Sequence, residues 1–563
     1  MRFAALAATL VGSVVFAVLI PYSIVFIALF ALCAILSAIG IWDLLQSKHS
    51  VRRNYPILAN IRFMLEKVRP EIRQYFLESE TDGTPFNRSK RAVAYQRAKG
   101  ALDKRPFGTQ QDIYGNNFEW INHSIVPCPV EGHDFRITVG GAECRKPYAL
   151  SLFNISAMSF GALSANAIRA LNRGAKLGGF AHDTGEGGIS RYHREFGGDL
   201  IWEIGSGYFG CRNEDGSFCA DRFAAQAQEP QVKMVEIKLS QGAKPGHGGV
   251  LPGAKVTAEI ANARGVPIGV DCISPARHPA FSTPLEMMHF IAQLRELCGG
   301  KPVGFKLCIG HAWEFMALCK AMLETGIRPD FIVIDGSEGG TGAAPLEFVD
   351  HVGTPLREGL VLAHNSLVGA GLRQSIRLGA SGRVVTAFDI ARLLALGADW
   401  CNAARGFMFA LGCIQAQSCH TDRCPTGVST QNPWRQWALV VDDKAARVRQ
   451  FHQSTLAALG ELVGAAGLAH PSHLQPMHIL KRLSPSEVKS FAEVYTFLQH
   501  RELLSGVGHP HYSEQWALAV SWKPLTNSNP SAISSATNSS RYGKMVVIFA
   551  PEASTSTYTL YAM

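Results

Sequence analysis

From residue 147 onward, short apolar runs alternate with stretches of helical spacing, and this alternation limits the fold more than any other feature. The runs are YALSLFNISA, GGFAHDTG, VKMVEIKLS, PIGVDCIS, VGFKLCIG, FIVIDGSEGG, IRLGAS and DWCNAARGFMF. Between them lie SANAIRALNRGAKL, TPLEMMHFIAQLRELC, AWEFMALCKAMLETG and AFDIARLLALGA. Strand followed by helix followed by strand implies parallel strands with crossover helices. Eight such strands predict an α/β protein, a (β/α)8 TIM barrel over residues 147–470. That fold carries its chemistry on the loops at the C-terminal ends of the strands.

The N-terminus follows a different pattern. Phe3 to Trp42 contains no charged residue, and ~40 apolar residues is about twice what one helix needs to cross a hydrocarbon core of about 30 Å. Pro21-Tyr22-Ser23 can turn the chain midway, and Arg2 on one side and Lys48, Arg52, Arg53 and Arg62 on the other provide positive flanks. These features predict a transmembrane helical hairpin over residues 1–45, two-pass in the inner (cytoplasmic) membrane, with both termini and the barrel cytoplasmic. A signal peptide would have a shorter apolar core and a small-residue cleavage site. Residues 46–146 read as a helical and loop collar whose arginines make membrane lipid a candidate partner. Residues 471–522 are expected to form a helical extension, and the Ser/Asn-rich tail 523–563 to be disordered. The net charge of +9 is spread along the chain with no groove-reading or base-stacking motif, so no nucleic acid partner is expected.

Three constellations fall on the expected loops. Asp183-Thr184-Gly185-Glu186-Gly187-Gly188 sets two acids among glycines, where a flat ligand can approach the backbone. Lys238, Gln241 and Lys244 in IKLSQGAKPGHGG place two ammonium groups around an amide, a set suited to a small dicarboxylate. The last two strands end in Gly382-Arg383 and Ala404-Arg405-Gly406, where barrels cradle phosphates. With no Rossmann fingerprint in a strand–glycine–helix context, FMN fits these loops better than NAD or FAD.

Cys413, Cys419 and Cys424 stand in the spacing C-x5-C-x4-C, and Pro425 follows the third. Tetrahedral zinc takes four ligands, which His420 would complete, whereas iron–sulfur clusters are held by local groups of thiolates. The total of 13 cysteines is odd and irregularly spaced, which does not suit a disulfide framework and points to a reducing compartment.

With NISAMSFGALS, DTGEGG, IKLSQGAKPGHGGVLPG, DGSEGGTGAAP and GCIQAQSCHTDRCPTGV in the same order, the chain resembles the FMN-binding glutamate synthase family, in particular its short, membrane-anchored members. The resemblance implies that Cys413, Cys419 and Cys424 hold a 3Fe–4S cluster. It implies that Ser156, Ala157, Met158 and Lys238 line the flavin ring of FMN, and that Gly340, Thr341, Gly342, Gly382, Arg383, Ala404 and Arg405 surround the flavin or its phosphate. It further assigns Gln241, Lys244 and Arg264 to the carboxylates of 2-oxoglutarate, and Glu186 with Lys238 to catalysis. The implied activity is that of an oxidoreductase acting on CH–NH2 groups: reductive amination of 2-oxoglutarate, via 2-iminoglutarate, to glutamate. Ammonia or another amine would supply nitrogen, ferredoxin or a reductase subunit the electrons, and a separate amidotransferase is a further candidate partner.

Departures from the family pattern bear on the substrate. Met1-Arg2 leads into the apolar stretch, so a glutaminase domain is not expected. Tyr208 stands where longer glutamate synthases have arginine, Ser381-Gly382-Arg383 where they have Asp-Gly-Gly, and Glu338 where they have aspartate. Two alternatives stay open: an FMN oxidoreductase for another amino acid or amine, and a membrane-tethered electron-transfer subunit. A pure relay has no need of a dicarboxylate clamp.

Overall fold

The computed structural model describes residues 2–520 apart from 48 and 507, so the tail 523–563 lies outside the described residues. Eight strands form the barrel: β1 Phe153–Ile155, β2 His182–Asp183, β3 Leu200–Ile204, β4 Val232–Lys238, β5 Val303–Leu307, β6 Phe331–Asp335, β7 Arg377–Ser381 and β8 Trp400–Ala403. Each pairs in parallel with the next, and β8 returns to β1, closing the expected (β/α)8 barrel.

One expected strand is wrong. PIGVDCIS does not join the barrel: Cys272–Ile273 pairs antiparallel with Val250–Leu251, a small hairpin in the long loop between β4 and β5. Its place is taken by β3, LIWEI, all five residues of which are buried. Glu203 in the middle of that run disguises it, yet its carboxylate is ion-paired inside the barrel with Lys306. Only the four-residue helix Arg191–Arg194 precedes it, so no helical periodicity announces the crossover. Lys238 therefore ends the fourth barrel strand, not the third.

The crossover helices obey their local chemistry. Ala165–Gly178 begins where the Ser164 hydroxyl accepts from Ala167 N (3.2 Å) and stops at Gly179 in the left-handed region, φ 67°. It buries Ala167, Ile168, Leu171 and Ala175 on one stripe, each large aliphatic side chain contributing about 1.5–3 kcal/mol. It packs on the helix Val441–Ala465, where a Cβ at Gly174 would lie 2.5 Å from Val448; only glycine permits that approach.

At the N-terminus, α1 Ala4–Leu19 and α2 Val25–Leu45 are joined by a turn containing Pro21. The stretches Ala4–Tyr22, which takes in the turn, and Val25–Leu45 are long and apolar enough to cross a membrane, with mean hydropathies of 2.3 and 2.6. They pack at small residues: Gly12 against Cys33, and Gly40 against Leu6. At the end of α2 the buried Asp43 accepts from Ile57 N (3.0 Å) and Asn60 Nδ2 (2.5 Å), tying the hairpin to the helix Leu58–Ile72. Residues 73–77 continue that helix as a π-type turn, and Gln74 Nε2 donates to Ile414 O (2.6 Å), so the collar touches the cysteine loop.

The segment 471–522 is not purely helical. Ile479–Ser484 and Glu487–Ser490 form a β-hairpin that takes Glu119–Ile121 of the collar as a third strand. Glu119 sits in this sheet as a buried anchor, ion-paired with Arg357 and Arg392 of the barrel helices.

Asp330, just ahead of β6, joins three parts of the molecule. Its carboxylate accepts from Val303 N (2.8 Å), Gly141 N (2.6 Å) and the buried Arg295 guanidinium (3.2 Å). Asp330→Ala is expected to destabilise the protein by about 3–5 kcal/mol, because it leaves Arg295 with only the exposed carboxylate of Glu143 and removes the acceptor of two backbone N–H groups. The urea midpoint of the detergent-purified chain measures this; an unchanged midpoint would refute it.

Candidate active site

The C-terminal ends of β2 and β4 and the β4–β5 loop bring Glu186, Lys238, Lys244 and Arg264 together. After β2 the chain turns sharply at Gly185 (φ 66°), where a Cβ would lie 2.7 Å from Ser159 N. The turn aims Glu186 at the end of β4, where Lys238 Nζ is 3.1 Å from its carboxylate. Ser274 Oγ donates to the other oxygen at 3.4 Å, and a Cβ at Gly249 would be 2.2 Å from Oε1, so glycine is required there too. Burial pushes the Glu186 carboxyl up, but Lys238, Arg264 and Lys244 together outweigh it and hold it below its ordinary value.

Lys244 (3% exposed) and Arg264 (5% exposed) are buried cations. Among the described residues neither has a carboxylate within 4.0 Å. Arg264 Nη2 donates to Phe160 O (3.1 Å) while its Nε has no partner, and burial and Lys238 pull Lys244 down. Three cations face one carboxylate, a surplus of two positive charges in a water-poor mouth. Gln241 is half-buried at the start of the same turn, its carbonyl accepting from Lys244 N (3.3 Å).

The neighbouring rim brings Gly340, Arg383 and Arg405 together. Arg405, opening the helix after β8, donates to Glu338 O (2.8 Å), and a Cβ at Gly340 would be 2.9 Å from its guanidinium. Burial and the nearby Arg383 pull Arg405 down to about 10. Ala404 immediately precedes that helix, and Gly382-Arg383 follows β7 directly. Thr341 and Gly342 are exposed on the loop after β6. Ser156 Oγ lies 3.2 Å from Ser381 Oγ, joining the ends of β1 and β7, and Met158 is buried beyond the half-buried Ala157.

The cysteine loop runs back across this rim. Its first carbonyl, Cys413 O, accepts from Tyr95 OH (2.6 Å), and Gln431 Nε2 donates to Gly161 O and Leu163 O (3.0 Å each). A Cβ at Gly342 would be 3.7 Å from Cys419 Cβ, so the loops touch. Gln415 N donates to Cys413 Sγ (3.4 Å). Burial pushes Cys424 up, but the Thr426 hydroxyl and the N–H groups of Ser429, Thr426 and Val428 hold it below the ordinary thiol value. Burial drives Cys413 up to about 12 and also raises Cys419. His420 is exposed.

Several participants lay outside the sequence reading. His278 Nε2 is 2.9 Å from Lys238 O and its Nδ1 is 3.2 Å from Tyr208 OH, which puts both directly behind Lys238. Lys255 Nζ donates to Cys419 O (2.8 Å). Inside the barrel, Asp183, Glu203 and Glu236 bring carboxylate oxygens within 4.8 Å of one another. Lys306 is the cation there, paired with Glu203 and 3.3 Å from Glu236, whose carboxyl burial and Asp183 push well up. No spacing in the sequence links these residues, because adjacent strands bring them together.

Residues 130–469 match the conserved region of glutamate synthase. The chain is similar to the glutamate synthase large subunit-like protein YerD of Bacillus subtilis, 40% identical over 79% of this chain and 92% of that protein. It is similar to the archaeal-type glutamate synthase [NADPH] of Thermotoga neapolitana, 35% identical over 56% of this chain and 59% of that relative's length. Among solved structures, a mandelate oxidase with a monooxide FMN adduct superposes over 77% of this chain and 99% of its own, with a TM-score of 0.38 and 13% identity.

Burial holds His278 at about 4, so it is neutral in the folded chain at pH 7. Unfolded, it takes up a proton near ~6.5, so its contribution to stability is intact above that pH and is lost as the pH falls toward 4. At about 1.4 kcal/mol per pH unit the loss is about 3 kcal/mol. His278→Gln is expected to flatten the fall in denaturation midpoint between pH 7 and 4.5; identical slopes for both proteins would contradict a neutral, buried His278.

Proposed function

Because the chain belongs to the glutamate synthase family, we propose that it is an FMN- and 3Fe–4S-dependent oxidoreductase that aminates 2-oxoglutarate reductively, via 2-iminoglutarate, to glutamate. The observation that carries this reading is the surplus of two buried positive charges around Glu186, the complement of a dicarboxylate. Lys244 and Arg264 each hold one carboxylate, and Gln241 orients the molecule between them. Glu186, kept ionised by Lys238, accepts hydrogen bonds from ammonia or another amine and can take its proton.

The residues present fit both cofactors. Arg405 and Arg383, beside Gly340, repel each other and suit a phosphate dianion. N–H groups aimed at Cys413 and Cys424 suit sulfurs that carry negative charge, and the exposed His420 gives little support to a fourth zinc ligand. When bound, the flavin supplies hydride chemistry and the cluster one-electron transfer. Ferredoxin or a reductase subunit is the proposed electron donor. Ammonia is the proposed nitrogen source, a separate amidotransferase being one supplier of it. The hairpin α1–α2 is proposed to hold the barrel at the cytoplasmic face of the inner membrane, in contact with lipid, because positive residues flank it on both sides.

Arg264→Ala is expected to lower kcat/KM for 2-oxoglutarate on the order of 30-fold or more, since an unpaired buried charge costs ~2–5 kcal/mol. Flavin content and cluster EPR are expected to stay near wild type. Wild-type protein that turns over no 2-oxo acid with ammonia and a reduced artificial donor, yet passes electrons rapidly to another carrier, would instead be an electron-transfer subunit. Turnover of a different amino acid or amine would move the assignment to that substrate.

In intact spheroplasts the barrel is expected to resist external protease. Digestion from outside would reverse the proposed topology.

A further inference from the structure

We propose that Lys255 is the buried counter-charge of the centre held by Cys413, Cys419 and Cys424, and that its ammonium raises that centre's reduction potential. The inference rests on reading the three cysteines as cluster ligands. Lys255 ends the short turn Gly253–Lys255 and is 4% exposed. Its Nζ donates to Cys419 O at 2.8 Å, and among the described residues no carboxylate lies within 4.0 Å of it. Its negative neighbours are Asp422 and the sulfurs of Cys419 and Cys424. Asp422 lies beyond 4.0 Å and its carboxylate accepts from Gln431 N (2.7 Å), so it compensates the ammonium only in part, and a buried ammonium so placed persists where a further anionic group faces it. Three thiolates and their iron–sulfur core are such a group.

The lysine is held firmly. Gly253 N donates to Asp271 Oδ1 (2.6 Å), and two residues beyond Lys255 the Thr257 hydroxyl caps the helix Ala258–Arg264. One short segment therefore carries both the cation beside the cysteines and Arg264 of the substrate mouth. One-electron reduction adds a negative charge to the centre, which a fixed neighbouring cation favours, and net charge and hydrogen bonding are what set such potentials. Cys419 also touches the Gly342 loop, so this charge acts where electrons would leave the centre for the barrel mouth.

The test is an EPR-monitored redox titration of the full-length, detergent-purified protein and its Lys255→Gln, Lys255→Met and Lys255→Arg variants. In the Gln and Met variants the equilibrium is expected to move on the order of tenfold or more toward the oxidised centre, a midpoint about 59 mV more negative for one electron. Arg, which keeps the charge, is expected to stay near wild type. Loss of the centre from both neutral variants, with Arg retaining it at the wild-type potential, also supports a counter-charge. A Gln or Met variant at the wild-type potential, or loss of the centre from all three variants, overturns the proposal. A wild-type protein matured with ample iron but lacking any three-iron signal overturns the cluster reading itself.

Discussion

The distribution of buried charge along the barrel axis is the constraint on which the rest of the structure depends. Within the barrel, Lys306 is surrounded by Glu203, Glu236 and Asp183, and burial and Asp183 push the Glu236 carboxyl well up, so the interior layer carries no surplus of positive charge. At the mouth the balance is broken. Lys238 is matched by Glu186, while among the described residues Lys244 and Arg264 have no carboxylate within 4.0 Å, in a place where ionic groups are poorly hydrated. A fold that tolerates this stores binding energy for an anionic ligand in its own architecture, and the glycines at 185 and 249 let Glu186 come close enough to keep the surplus at two.

The second rim is built on the same principle. Arg383 and Arg405, which follow β7 and β8, are near enough for one to depress the other, and the cysteine loop lies beside Gly342 on that rim. The collar then fastens the loop from the far side, through Tyr95 OH to Cys413 O and Gln74 to Ile414 O. Asp43 ties α2 to the collar, so a continuous chain of hydrogen bonds and helix runs from the apolar hairpin to the cysteines.

How much of this was legible depended on whether the signal was local. The barrel follows from alternation, and the cysteine loop and the glycine-rich turns follow from short strings, because each is written in consecutive residues. LIWEI was missed because a glutamate interrupts its apolar run and its partner, Lys306, lies about a hundred residues away. PIGVDCIS was misread because a β-rich run says nothing about which sheet it joins. The hairpin 479–490 was hidden because it is short and rich in charged residues, and the strand that completes its sheet, Glu119–Ile121, lies far upstream. Lys255 and His278 carried no motif at all, and only the folded loop between β4 and β5 sets them beside Cys419 and Lys238.

Tyr208, where longer glutamate synthases have arginine, shows how this mouth differs in kind. Lys238 O can only accept, so His278 Nε2 is the donor at 2.9 Å and Nδ1 must accept. Tyr208 OH then donates to Nδ1 at 3.2 Å and is free to accept from Ala280 N, also 3.2 Å away. One tautomer satisfies every polar atom in this chain, and it is the neutral one that burial enforces. An arginine in the same fully buried position could still donate to Nδ1 and leave His278 neutral, but it would add a third unmatched cation behind Lys238. The tyrosine therefore confines the positive surplus to Lys244 and Arg264, on the side of the mouth that faces Glu186, so any dicarboxylate that binds is drawn toward those two cations and away from the back of the barrel.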